Sequence, residues 1–124
     1  MDEVEDFRAK LRKELRTGLI SLLLMDVIDR AGEEGYGYAI IKKLEEYSDG
    51  VFTFKEGTIY PILHSMQKQG LVNTSLKESP NGPARKCYGL TDVGKKALKA
   101  GLEEWSELST MARKLLAKRG KANE

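Results

Sequence analysis

The sequence predicts a mainly α-helical domain with one small β-hairpin. Apolar residues recur at helical spacing in four segments of the chain. Residues 71–90 instead contain short β-prone runs on either side of a cluster of turn-forming residues. With 124 residues, the chain has room for one compact domain and too little for two ordinary ones.

The first helix is predicted over residues 3–30, which contain no proline. From Leu19 onward apolar residues spread around the helix, as expected where a helix enters a core. The first half carries one narrow apolar stripe: Val4, Phe7, Leu11 and Leu15. That stripe fits a simple surface helix, and it also fits a helix that packs on a second subunit.

Two shorter helices follow. Ala39–Tyr47 has apolar residues on one side and charged residues on the other, which predicts the second helix. Residues 51–54 form a brief apolar connector that we expect to fill the core. Thr53 and Glu56 have the S/T-x-x-E spacing of a capping box, so Thr53 is predicted to cap a third helix that runs to about Gln69.

The next segment predicts a two-stranded hairpin. Leu71–Leu76 and Cys87–Leu90 are short and β-prone, and Ser79–Pro83 between them is dense in turn residues. We therefore expect a hairpin with a long, solvated tip.

Thr91 offers an N-cap for a last helix over residues 92 to about 118. This helix ends in a basic tail: Arg113, Lys114, Lys118, Arg119 and Lys121. Its apolar residues repeat every seven positions in two series. Leu98, Trp105 and Ala112 occupy the a positions of a heptad pattern, Leu108 and Leu115 occupy the d positions, and Leu102 and Leu116 lie beside them. Such a seam needs a partner helix, either the first helix or a second copy of this one.

Three helices followed by a hairpin is the order of a winged helix, in which the second and third helices form the helix-turn-helix unit. The third helix should present an exposed face that lacks carboxylates beyond Glu56: Gly57, Pro61, His64 and Lys68, flanked by Thr58, Tyr60 and Ser65. Such a face can approach a phosphate backbone closely. Gly57 and Pro61 together also fit a helix irregularity without function.

Charge is distributed unevenly along the chain. Twenty-one Lys and Arg against nineteen Asp and Glu leave a net charge of only +2, which excludes a polycation. Residues 55–96, however, hold seven bases and three acids, whereas residues 33–49 hold two bases and five acids. This asymmetry favours double-stranded DNA as the partner. A basic face exposed to solvent without a partner is the alternative.

Several classes of protein are disfavoured. One cysteine and one histidine exclude an internal disulfide and a four-ligand zinc site, and we expect no metal or other cofactor. No acidic or amide side chain is placed to orient His64 beside Cys87, which argues against nucleophilic catalysis. The longest apolar stretch falls short of the ~20 residues of a membrane span, and the acidic first residues are untypical of a signal peptide. We therefore expect a cytoplasmic protein without a membrane partner.

Four segments closely resemble the PadR-like family of bacterial and archaeal transcriptional regulators: Gly37–Glu46, Glu56–His64, Gly70–Val72 and Gly82–Thr91. The resemblance runs from about residue 15 to residue 116, and its most specific part is Glu-Gly-Thr-Ile-Tyr-Pro-Ile-Leu-His followed by Arg-Lys-Cys-Tyr-Gly-Leu-Thr. The single C-terminal helix is similar to that of the smaller subgroup of the family.

This resemblance implies a homodimeric winged-helix repressor that binds a pseudo-palindromic DNA site. Residues 1–91 would be the DNA-binding domain with its N-terminal helix, and residues 92–124 the dimerisation helix and basic tail, within one compact unit. The residues that the resemblance places near DNA are Tyr38, Lys42, Gly57, Thr58, Tyr60, Pro61, His64, Arg85 and Lys86. The exposed face and the charge pattern add Lys55 and Lys68.

Dimerisation is expected through both terminal helices, with these interface residues: Phe7, Leu11, Leu98, Leu102, Trp105, Leu108, Ala112 and Leu115. In some members of the subgroup a tryptophan on the last helix stacks on flat aromatic ligands, and Trp105 matches it in position. The resemblance thus implies a planar aromatic effector, although a tryptophan on a dimer seam also fits a filled core.

The sequence departs from the family at Tyr36, where many members have histidine, and in a longer glycine-rich loop at residues 32–37. The rival function is a winged-helix dimer that binds proteins or sequesters drugs without specific DNA contacts.

Overall fold

A computed structural model describes residues 2–51 and 53–122 of the chain. Within them lie four α-helices and one antiparallel pair of strands: α1 (Glu3–Ala31), α2 (Gly37–Tyr47), α3 (Glu56–Lys68), β1 (Val72–Ser79), β2 (Gly82–Leu90) and α4 (Asp92–Ala122). One turn of 3₁₀ helix, Gly32–Glu34, links α1 to α2. The predicted fold class, mainly helical with a winged helix-turn-helix, is confirmed. None of the helices in these two ranges is long and apolar enough to cross a membrane.

The second half of α1 forms the centre of the core. Its side chains Leu24 and Ile28 are fully buried and pack with Ile40 of α2 and with Ile59 and Leu63 of α3. α1 also contacts α4 and β2. The broad apolar pattern that begins at Leu19 thus marks the part of the helix that the rest of the domain covers.

The start of α3 differs from the prediction. Its N-cap is Lys55, without a side-chain cap hydrogen bond, so the predicted capping box is wrong. Thr53 lies two residues before the cap, where its hydroxyl cannot serve the first turn. In the connector before the helix, Phe54 packs against the core as expected, but Val51 is exposed, and Phe52 lies outside the described residues.

The hairpin, or wing, is longer and tighter than predicted. Its strands pair from Val72 opposite Leu90 to Ser79 opposite Gly82, so the connection is only two residues long. The expected long tip is therefore wrong. Pro80 suits the first central position of a tight turn and Asn81 occupies the second, whereas Ser79, Gly82 and Pro83 extend the strands.

The loop before α2 pairs with the wing. Tyr36 forms an antiparallel bridge with Cys87 of β2, and the Tyr88 N–H donates to the Gly35 carbonyl at 2.8 Å. The Lys77 ammonium donates to the Glu33 carbonyl at 3.1 Å. α2 then begins at Gly37, two residues earlier than predicted. The glycine-rich loop thus holds β2 against the helical core.

Thr91 connects the wing to α4. Its hydroxyl accepts from the Gly94 N–H at 2.9 Å, as expected for an N-cap, and donates to the Gly70 carbonyl at 2.6 Å. Gly70 has a φ of +75°, which glycine adopts easily and which closes α3 as predicted. α4 extends to Ala122, beyond the predicted end near residue 118.

Gly94 supplies a test of this junction. A methyl group at Gly94 would overlap the Leu71 carbonyl oxygen, so the backbone of α4 or of the wing must shift. We expect Gly94→Ala to lower the free energy of unfolding by about 2–3 kcal/mol in urea denaturation at fixed protein concentration. Gly120→Ala is the matched control in the same helix, because nothing lies within 4 Å of its added methyl. Equal stability of Gly94→Ala and wild type would contradict the close approach.

Candidate nucleic-acid interface

The exposed face of α3 has the predicted composition. Ile59, Leu63 and Met66 are buried, so the opposite side of the helix faces solvent. That side exposes Gly57, Thr58, Pro61, His64 and Lys68. At about 1.5 Å per residue it extends some 16 Å along the helix axis, and the one carboxylate within α3 is Glu56 at its start. A polyanion can therefore approach the face without meeting a like charge beyond the first turn.

Four tyrosines and two cations gather where the start of α2, α3 and β2 meet. They line a recess of about 370 Å³: Tyr36, Tyr38, Tyr60, Tyr88, Arg85 and Lys86, with Gly37 among them. We call this the tyrosine recess. A methyl group at Gly37 would lie 2.7 Å from the Tyr60 hydroxyl oxygen, so α2 and α3 approach closely only because this position has no side chain.

Arg85 has three aromatic or phenolic contacts in the recess. Its Nη1 donates to the Tyr38 hydroxyl at 2.9 Å. Its Cζ lies 5.4 Å from the ring centroids of both Tyr36 and Tyr38, which stack on each other at 6.2 Å with an angle of 11° between the ring planes. A guanidinium has five N–H donors, so the bond to Tyr38 leaves donors for another acceptor.

Lys86, the next residue on β2, has its Nζ 5.6 Å from the ring centroid of Tyr88. Both wing cations thus lie against aromatic rings, yet both remain exposed. Such contacts hold a cation in place while its charge faces solvent.

Two phenols in the recess stay protonated over a wider pH range than a free tyrosine. Burial raises the pKa of Tyr60, and the nearby Glu56 carboxylate raises it further. Burial also raises the pKa of Tyr88, with a smaller contribution from Tyr60. At neutral pH both hydroxyls are therefore uncharged and do not repel a phosphate.

The structure brings some of the predicted residues together and leaves others apart. Tyr38, Tyr60, Arg85 and Lys86 meet in the tyrosine recess. The remaining predicted DNA-contacting residues outside the exposed face of α3, Lys42 and Lys55, are exposed but do not line the recess.

Sequence reasoning missed three members of the recess. The family resemblance marks Tyr36 only as a departure, and it implies no role for Gly37 or Tyr88. The available signals are the Tyr36-Gly37-Tyr38 run and the Arg85-Lys86-Cys87-Tyr88 run, but no local pattern in either run predicts the bridge from Tyr36 to Cys87 that brings them together.

A second surface lies on the projecting halves of α1 and α4. Its apolar residues are exposed: Val4, Phe7, Leu11, Leu15, Leu102, Trp105, Leu108, Met111, Leu115 and Leu116. Trp105 and Leu108 border an open groove of about 670 Å³ between the two helices. Leu98 differs from the expected interface set, because it is only 7% exposed and packs in the core of its own subunit.

The element order, the paired wing and the solvent-facing third helix define a winged helix-turn-helix protein. Comparisons with known proteins agree with this class. Residues 24–100 match the sequence model of the transcriptional regulator PadR-like family. The chain is also 31% identical over 87 residues to the transcriptional regulator YqjI of Escherichia coli, in a match that covers 70% of this chain and 39% of that protein.

Solved structures give the same result. A PadR-like transcriptional regulator from Bacillus cereus superposes with a TM-score of 0.72 at 35% identity, covering 83% of this chain and 96% of that one. A PadR family regulator from Eggerthella lenta superposes with a TM-score of 0.77 at 27% identity, covering 91% and 95%. The chain belongs to the PadR-like family and is a DNA-binding regulator of transcription.

Proposed function

We propose that this regulator is a homodimeric repressor that binds a pseudo-palindromic operator. The observation that carries the proposal is the exposed face of α3, free of carboxylates after Glu56, beside the two exposed wing cations Arg85 and Lys86. Phosphate contacts position a protein on DNA, and side chains on a helix in the major groove read the bases. The exposed face of α3 and the two wing cations offer groups both for contacts to phosphates and for contacts to bases.

Each part of the surface has its own role in the proposal. The exposed face of α3 enters the major groove, with Thr58 and His64 able to hydrogen-bond base edges or phosphates. Gly57 and Pro61 allow the helix start to lie close to the backbone. The flanking phosphates are met by the remaining predicted residues: Tyr38, Lys42, Lys55, Tyr60, Lys68, Arg85 and Lys86.

A second copy of the chain is proposed to cover the apolar surface on α1 and α4. Phe7 is 65% exposed, Trp105 47% and Leu108 57%, and such large exposed apolar side chains on the same two helices mark a site of association. The start of α1 is acidic and the end of α4 is basic, so two copies can also pair their charges when these helices pack together. A twofold dimer would present two α3 helices to half-sites about 34–36 Å apart.

The wing contact is tested by Arg85→Glu. We expect this reversal to weaken binding to the DNA upstream of the protein's own gene by at least about tenfold, because a phosphate contact becomes a repulsion. Fluorescence anisotropy with specific and shuffled duplexes across a salt series would measure it. Lys99→Glu, which reverses an exposed charge on α4, is the matched control and should bind normally.

Arg85→Glu should remain a dimer in light scattering. Wild-type affinity for the operator in this variant would remove the wing from the proposal, whereas loss of the dimer would show that the substitution damages the fold.

The dimer surface is tested by Leu108→Glu. A carboxylate buried against an apolar partner without a counter-charge is costly, so this variant should sediment as a monomer at concentrations where wild type is a dimer. Leu76→Glu is the control, because Leu76 is 74% exposed on the wing, far from the proposed interface in the fold. Dimeric Leu108→Glu would place the interface elsewhere.

Trp105 supports a planar aromatic effector as a further part of the proposal. It is the only tryptophan of the chain, and it borders the apolar groove between α1 and α4. We expect a planar aromatic dye that does not itself bind DNA to quench its fluorescence saturably and to release the protein from its operator. In Trp105→Leu the same dye should release the operator only at about tenfold higher concentration, since the stacking partner is lost.

A blue-shifted tryptophan emission that the dye does not change would show that the partner subunit fills the groove. That result would exclude a planar aromatic effector and would leave the proposed repression unaffected.

The same groove supports a second candidate function, a dimer that binds proteins or sequesters drugs without specific DNA contacts. Equal, weak binding to operator and shuffled duplex together with tight dye binding would favour it. A cytoplasmic location is part of the repressor proposal, because a repressor works in the compartment that holds the chromosome.

A further inference from the structure

Tyr36 has an unusual position among the residues of the tyrosine recess. It precedes α2, and its backbone is bridged to Cys87 of β2. Arg85 lies two residues before Cys87 on the same strand, so Tyr36 and Arg85 are diagonal neighbours across paired backbones. Main-chain pairing therefore fixes the backbone of Tyr36 relative to the strand that carries Arg85.

The ring of Tyr36 acts on Arg85 in two ways. Its centroid lies 5.4 Å from the Arg85 Cζ, within the range of a cation–π interaction. It also stacks on Tyr38, the residue whose hydroxyl accepts from Arg85 Nη1. Removing the Tyr36 ring thus takes away one direct contact and the support of a second.

Arginine side chains lose much rotamer freedom when they are ordered on binding, and a side chain that is held beforehand loses less. Arg85 is exposed, so without the two rings it would sample many orientations before meeting a phosphate. Tyr36 is half-buried, whereas Tyr38 and Arg85 are exposed, which places Tyr36 behind the contacting surface.

We propose that Tyr36 is a positioning residue of the DNA interface, which holds the guanidinium of Arg85 in the orientation that meets a backbone phosphate. This inference rests on the proposed function. Tyr36 acts through Arg85 and makes no necessary contact with DNA of its own.

The first experiment needs no DNA. In the nuclear magnetic resonance spectrum of the free protein, the Arg85 Nε–Hε and δ-proton signals should be shifted by the ring currents of Tyr36 and Tyr38. Tyr36→Leu should move these signals toward free-arginine values, and Tyr36→Phe should leave them nearly unchanged. Identical Arg85 signals in wild type and Tyr36→Leu would overturn the inference.

The second experiment is a double-mutant cycle on operator binding. Tyr36→Leu should weaken binding by about fivefold, the size expected for one exposed cation–π contact. Tyr36→Phe keeps the ring and should stay within about twofold of wild type. In an Arg85→Ala background Tyr36→Leu should have almost no further effect, because the group that it positions is already absent.

Tyr47→Leu is the matched control. Tyr47 also lies beneath an arginine, with the Arg30 Cζ 5.8 Å from its ring centroid, but on the α1–α2 side away from the tyrosine recess. It should bind the operator as wild type does. Thermal unfolding of every variant checks the fold.

The outcomes separate the two proposals. Wild-type protein that does not distinguish operator from shuffled duplex overturns the repressor and the positioning role together. Specific wild-type binding with an unchanged Tyr36→Leu affinity, or an equal loss in the presence and absence of Arg85, overturns the positioning role alone.

Discussion

Burial of the second half of α1 is the constraint on which the rest of the structure depends. Leu24 and Ile28 lie fully buried between α2 and α3, and a chain of 124 residues builds only one such core. α1 has 29 residues and α4 has 31, so they are about 43 and 46 Å long. Both helices are longer than the core that covers them. Their outer halves must therefore project, and their apolar residues remain for a partner.

The same core fixes the two surfaces assigned to DNA. Ile59 and Leu63 anchor α3, and burying them turns its carboxylate-poor side to solvent. The base of the wing is attached at two points, since the Thr91 hydroxyl donates to the Gly70 carbonyl just after α3 and the Tyr88 N–H donates to the Gly35 carbonyl. These hydrogen bonds hold α3 and the wing in one relative orientation, and Tyr60 of α3 packs over Gly37 of α2.

The spacing of apolar residues predicted the helices and the two faces of α3. It could do so because the side chains that a helix buries in the core recur at helical spacing in the sequence. Features that depend on distant pairing were not predictable in this way. The capping box at Thr53 failed because the chain stays extended to Lys55, and Leu98 was assigned to the dimer although its own core covers it. The tyrosine recess required the bridge from Tyr36 to Cys87, which joins residues 51 positions apart and leaves no periodic signal in either segment.

One continuous helix connects the two working surfaces. The middle of α1, from Glu14 to Met25, forms a wall of the groove beside Trp105, and the buried side chains Leu24 and Ile28 of the same helix pack with side chains of α2 and α3. Arg16, also in this middle part, donates to the Val51 carbonyl at 3.1 Å, in the segment that leads into α3. Packed helices move as rigid units, so a tilt of α1 at the groove would also displace the segment before α3. In the proposed function, an effector or a partner subunit that altered the groove would therefore act on the helix that is hydrogen-bonded to the segment before α3.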